Sequence, residues 1–260
     1  MTPPPAITAA AVAGRLAAQD LRVTPEQAEK LAVYLDVLVA WNRRVNLVGP
    51  SAWTVVLDEL VADSPHLAAF LDSPEVATLL GSAGGEPVCL DFGAGAGLPG
   101  IPLRIVWPRG DYALIEIRAK RAVFLKEALA RLGLSRTTVF AGKAEDAPSR
   151  LVAPDRPGMV VCLSRAFLPW QKFLAFAAGH VGPLGRPYAV LAMTTERPAA
   201  APGVVGGAGF AVFAEKAYRV AGKDRYFSLF IPTMAPKDPL KISLVAVSSA
   251  SSARSMSRSR

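Results

Sequence analysis

The stretch DFGAGAGLPGIPL, residues 91–103, sets an acid, Asp91, ahead of glycines at positions 93, 95 and 97. Glycine tolerates positive φ and lets a ligand approach the backbone closely, so this spacing suits a turn wrapped around a small molecule. The helix expected next would present free N–H groups at its start. A carboxylate at the head of the loop repels a pyrophosphate and favours a ligand carrying a positive group. A second acid, Glu116, ends the next apolar run, where nucleotide-binding α/β sheets set a carboxylate against ribose hydroxyls. Its competing interpretation is a surface residue at a strand end. Further on, KAEDAP offers Glu145 or Asp146 to the amino group of a base, with Ala144 lining the ring, an assignment resting on order along the chain. Arg165 follows the run MVVCLS and stands at the carboxyl edge, where an open sheet holds its reactive centre. A salt-bridged arginine at a strand end is the other interpretation.

Five apolar runs, PVCLDF, YALIEI, TTVFA, MVVCLS and PYAVLAM, alternate with helical stretches, which predicts an α/β protein with a mostly parallel sheet. RAKRAVFLKEALARLGL is an amphipathic helix with Gly133 as its C-terminal cap. FAVFAEKAYRV and RYFSLFI are spaced to pair as a C-terminal antiparallel hairpin. Ahead of the sheet, Thr24, Pro25 and Gln27 make a capping-box start, and Leu31, Tyr34, Leu35 and Leu38 follow at helical spacing to an end near residues 42–45. A further helix is expected over residues 54–71. ERPAAAPGVVGGAGF is too rich in Pro, Gly and Ala to predict a helix. From Ser248 the Ser/Arg-rich tail has the composition of a disordered segment. The expected organisation is a helical extension over residues 1–80, a ligand-binding core over 81–235 and a basic tail over 236–260.

The chain has 260 residues, 52% hydrophobic, a net charge of +8 and a pI near 9.8. That balance suits an anionic partner such as nucleic acid, and also a solvated basic face. Cys89 and Cys162 lie inside apolar runs, as buried thiols of a reducing compartment do. No zinc spacing occurs, and His66 and His180 stand far apart in sequence, which disfavours a metal site or a Ser-His-Asp triad. The start, MTPPPAITAA, lacks the basic region of a signal peptide, and no apolar window reads as a membrane span. A cytoplasmic protein without metal or membrane partner is expected.

The D-x-G-x-G-x-G pattern resembles motif I of class I methyltransferases more than the G-x-G-x-x-G of dehydrogenases, so the positive group would be the ammonium of S-adenosylmethionine. LDFGAGAGLPGIPL, IRAKRAVFLKEALARLGL, AED and LSRAF, taken in that order, resemble the bacterial RsmG (GidB) family. YLDVLVAWNRRVNLVG is similar to that family's helical extension, with Trp41, Asn42, Asn46 and Leu47 matching its pattern, and the likeness spans residues 31–231. The resemblance implies a class I methyltransferase Rossmann-like core that forms 7-methylguanosine in small-subunit ribosomal RNA, free or in an assembling small subunit. It further implies cofactor contacts at Gly93, Leu98, Ala144, Glu145 and Arg165, beside those expected of Asp91, Gly95 and Glu116. N7 of guanine has a lone pair and no proton to remove, so the reaction needs no general base. Arg165 is the candidate catalytic residue, able to orient the base oxygen or a flanking phosphate. Two positions depart from the family pattern. Glu59 and Leu60 stand where Arg-His usually precedes the Asp63-Ser64 pair, with His66 after it, and Leu191, Ala192 and Met193 replace a Leu-Lys-Gly motif. Three alternatives remain: a divergent or inactive member that binds RNA or methylates something else, a nicotinamide-dependent dehydrogenase, and a purely structural Rossmann-like protein.

Overall fold

The computed structural model describes residues 6–233, so the Ser/Arg tail lies outside the described residues. The chain opens with α1, Ala9–Ala17, capped by Thr8, which no sequence signal had singled out. The capping box at Thr24 and Gln27 forms on both sides, and Pro25 begins α2, Pro25–Val45. Next come α3, Trp53–Val56, a π-helical turn, Leu57–Val61, and α4, Asp63–Leu71. The helix expected over residues 54–71 is therefore interrupted, and Pro65, which has no N–H to donate, stands just past the break. Pro74–Gly81 forms α5.

The sheet follows: β1 Val88–Phe92, α6 Gly100–Val106, β2 Asp111–Glu116, α7 Ala119–Leu132, β3 Thr137–Ala141, α8 Ala147–Leu151, β4 Val160–Ser164, α9 Trp170–His180 and β5 Tyr188–Thr194. Gly133 caps α7 in the left-handed conformation. The segment left without a predicted helix holds a 3₁₀ turn, Pro198–Ala200, and a short α10, Pro202–Gly207. The hairpin is β6 Phe210–Val220 and β7 Lys223–Pro232, which pair antiparallel. The strand order is β3-β2-β1-β4-β5-β7-β6, parallel from β3 to β5 and antiparallel from β5 onward. The order reverses between β1 and β4, which is where an open α/β sheet opens a crevice at its carboxyl edge.

Side chains alternate across the strands and build a core on each face. Cys89, Leu114, Val161 and Leu191 face one apolar cluster, which takes in the helices of the N-terminal extension. Leu90, Phe92, Val160 and Cys162 face the other, against α9. The two cysteines are free, buried and on opposite faces. Behind the sheet, buried Arg104 donates to the carbonyls of Trp107, Arg109, Gly110 and Ser135 and to Thr137 Oγ1, tying the connections around β2 together.

Candidate functional site

Gly93, Gly95 and Gly97 all have positive φ, at +69°, +57° and +74°. This turns the chain sharply at the end of β1. From α2, the buried Tyr34 hydroxyl donates to the Ala96 carbonyl at 2.8 Å, so the N-terminal extension holds the loop from outside. Glu116, at the end of β2, accepts from the Gly95 N–H through Oε2 at 3.0 Å and from the Arg118 N–H through Oε1 at 2.8 Å. A carboxylate oxygen has two lone pairs, so both oxygens retain acceptor capacity for hydroxyls.

A cavity of about 330 Å³ opens beside this loop, lined by Gly93, Glu116, Ala144 and Glu145 from the sequence-predicted set. The other lining residues, among them Ile117, Arg118, Arg121, Gly142, Ala166 and Phe167, were not singled out from sequence. Ile117 is 64% exposed, an apolar side chain offered to solvent directly after the acid of β2. Its signal was available: the residues that follow a strand-end acid face the same crevice. A larger groove of about 670 Å³ lies between α1 and α3, beside Ala221, and none of the predicted site residues lines it.

The remaining predicted residues take other places. Asp91 does not line the cavity: it is 1% exposed, on the face of the sheet that carries Cys89, and accepts from the Tyr112 hydroxyl at 3.2 Å and from the Gly100 backbone. A Cβ at Gly100 would lie 2.5 Å from Asp91 Oδ2, so only glycine admits this contact. The carboxyl group and the start of α6 satisfy each other. Ile101 N–H is also taken, by the Gly97 carbonyl, which corrects the expectation that the helix start offers free donors to a ligand. Leu98 is packed in the core, 9% exposed, and Gly95 contributes through its N–H to Glu116.

Burial is the main reason the Asp91 carboxyl is pushed up to about 8, against smaller opposing effects from Tyr112, Gly100 and Arg165. Unfolded, an aspartate titrates near 3.9, so between roughly pH 4 and 8 the folded state holds the extra proton and stability falls as pH rises. Above about 8 the loss is complete and the curve flattens. The urea midpoint of the wild type should therefore drop across this interval relative to Asp91→Asn, which cannot ionise there. Parallel pH curves for the two proteins would mean that the carboxylate folds in already charged.

The turn after β4 divides its residues between two sides. Ala166 has φ +60°, unusual for a residue with a Cβ, and the Phe167 N–H donates to Ser164 Oγ at 3.3 Å. Ala166 and Phe167 thereby reach the cavity, with Phe167 stacked on Phe92. Arg165 is directed to the N-terminal extension: Nη1 donates to the Leu60 carbonyl at 3.1 Å, and Nη2 pairs with Asp63 Oδ2 at 2.9 Å. Leu60 serves through its backbone, so the side-chain departure noted there leaves this contact intact. Ala192 is 3% exposed within β5, where it pairs in register with Ser164 and Ser228.

Among the described residues no three His, Cys, Asp or Glu side chains are grouped to hold a metal, and no helix is long and apolar enough to cross a membrane.

A family model described as rRNA small subunit methyltransferase G, GidB, matches residues 27–199. A ribosomal RNA small subunit methyltransferase G of Nitratidesulfovibrio vulgaris strain DP4 is 43% identical over 213 residues, 82% of this chain and 89% of its own. The protein of the same name from Oleidesulfovibrio alaskensis is 37% identical over 223 residues, covering 83% and 90%. That from Myxococcus xanthus is 34% identical over 169 residues, covering 65% and 71%.

Proposed function

The chain belongs to the rRNA small subunit methyltransferase G family, and we propose that it methylates N7 of a guanosine in small-subunit ribosomal RNA, with S-adenosylmethionine as methyl donor. The observation that carries the reading is the cavity at the β1/β4 switch point, lined by Gly93, Glu116, Ala144 and Glu145. Its volume of about 330 Å³ is within the range of small-molecule sites. Glu116 keeps lone pairs for ribose hydroxyls, Ile117 and Ala144 offer apolar surface to a base, and Glu145 offers an acceptor to its amino group. These residues fit S-adenosylmethionine, which when bound supplies an electrophilic methyl group on a sulfonium.

The protein's own part is binding and alignment. Guanine N7 is already a nucleophile, so what is required is to hold it in line at near-attack distance and to stabilise the positive charge gained by the base. Arg165 is the residue assigned to orient the guanine O6 or an adjacent phosphate, leaving N7 itself free. With a net charge of +8, the RNA partner is held through phosphates, and the reading carries a cytoplasmic location with it.

Purified protein, small ribosomal subunits and methyl-labelled S-adenosylmethionine provide the test. Label should appear in 7-methylguanosine at a discrete site, mapped by strand scission at that base, and subunit binding should weaken steeply with salt. Label in another base, or none, sinks the assignment; salt-independent binding removes the phosphate-dominated interface.

A further inference from the structure

Asp63, the first residue of α4, is fully buried, and its carboxylate gathers side chains from three distant parts of the chain. Oδ1 accepts from the Tyr218 hydroxyl of β6 at 3.0 Å and from Arg225 Nη1 of β7 at 2.8 Å. Oδ2 accepts from Arg225 Nη1 at 2.5 Å and forms an ion pair with Arg165 Nη2 at 2.9 Å. The Arg165 side chain is 19% exposed and that of Arg225 15%, so both cations are largely withdrawn from water while sharing one anion. A buried charge is tolerated when paired and hydrogen-bonded, and removing one partner leaves the others uncompensated.

The second contact of Arg165 has a cause in the backbone. In the π-helical turn Leu57–Val61 a carbonyl bonds five residues on, as Leu57 does with the Ala62 N–H at 2.9 Å. For Leu60 that partner would be Pro65, which has no N–H, and the Leu60 carbonyl accepts from Arg165 Nη1 instead. One short segment, residues 60–63, thus supplies both the carbonyl acceptor and the ion-pair partner that hold the guanidinium, and among the described residues no hydrogen bond occupies its other N–H groups.

We infer that Asp63 is a positioning residue for methyl transfer: it aims Arg165 and, through Arg225 and Tyr218, locks the N-terminal extension and the C-terminal hairpin around the substrate side of the site. This rests on the methyltransferase reading above. A merely structural tie would lower stability but would leave the turnover of folded protein unchanged and would act independently of Arg165. A positioning role predicts coupling to Arg165.

The experiment compares wild type, Asp63→Asn, Arg165→Lys and the double variant, each checked for folding, by single-turnover methyl transfer to small ribosomal subunits at saturating cofactor. Asp63→Asn should slow transfer on the order of 100-fold, the scale of a small misplacement of a reacting or orienting group, with cofactor affinity within about 3-fold of wild type. The double variant should be little slower than Arg165→Lys alone. Should Asp63→Asn not fold, Tyr218→Phe replaces it, since the ring keeps its stacking on Phe227, with centroids 4.1 Å apart, and loses only the O–H to Asp63. It should show the same non-additivity with a smaller single effect. Fully additive losses, or normal turnover in either folded variant, overturn the inference. A readout without substrate keeps it separate from the functional reading: guanidinium nitrogen NMR should show slow rotation about Nε–Cζ of Arg165 in the wild type and fast rotation in the variant. Absence of methyl transfer by the wild type would defeat the function proposed above, whereas unchanged rotation of Arg165 would defeat the positioning role whatever the substrate.

Discussion

Gly93→Val is expected to weaken cofactor binding by at least about 100-fold, or about 2.7 kcal/mol, while the protein stays folded. Two constraints act at this position. With φ at +69° the backbone is in the left-handed region, which costs a residue with a Cβ about 1–2 kcal/mol, and a β-branched side chain more. The new Cβ would also lie 3.0 Å from Phe167 Cδ2 and 3.1 Å from Phe167 Cβ. That ring is held by Phe92 and Phe176, with centroids 6.0 and 5.4 Å away, so it cannot move aside freely. Strain relief must therefore displace the loop or fill the cavity that Gly93 and Phe167 both line. At Gly95, by contrast, a Cβ meets Arg121 Nη1 and the Gly93 carbonyl at 3.6 Å, which is ordinary contact, so valine there acts through its φ of +57° and through the N–H held by Glu116. The larger loss belongs to Gly93. Titration calorimetry with S-adenosylmethionine, alongside circular dichroism, measures it. Wild-type affinity in a folded Gly93→Val protein would take this cavity out of the cofactor site.

The parts that were legible in the sequence are those fixed by local chemistry. β1 and β4 read as continuous apolar runs because both of their faces are covered. α2 announced itself through Thr24 and Gln27, and α7 through its apolar stripe and Gly133. Gly93, Glu116, Ala144 and Glu145, grouped in the sequence by their order along the chain and by the family resemblance, line one cavity because strand ends on one edge of a parallel sheet converge whatever their separation in sequence. What stayed hidden depends on which face a side chain takes and on what lies across it. Asp91 precedes the loop by two residues, yet the strand's alternation turns its carboxyl group to Tyr112 and Gly100, away from the cavity that Gly93 and Glu116 line. The π turn before Asp63 left only a faint trace, a proline placed where a carbonyl would need a donor. Arg225 and Tyr218 carry no local signal at all: they matter because an antiparallel register sets them side by side over an aspartate 155 to 162 residues away.

Arg165→Lys should lower single-turnover methyl transfer on the order of 100-fold or more at saturating cofactor and RNA, with cofactor affinity nearly unchanged. The two halves of this expectation follow from the two sides of one turn. Ala166 and Phe167 line the cavity, whereas Arg165 is committed to the Leu60 carbonyl and Asp63 through separate nitrogens, Nη1 and Nη2. A planar fork anchored at two of its tips presents its remaining donors in a fixed plane, as recognition of a guanine edge or a phosphate demands. Lysine preserves the charge but is a single ammonium on a flexible stem, and it can satisfy one anchor without defining a plane. Cofactor affinity and single-turnover rate are to be measured on the same folded variant. A rate loss fully restored by more cofactor would make Arg165 a cofactor-binding residue and nothing else. Normal affinity together with normal turnover in folded Arg165→Ala would remove the arginine from the site and leave it as the buried strand-end ion pair that its contacts with Asp63 also describe.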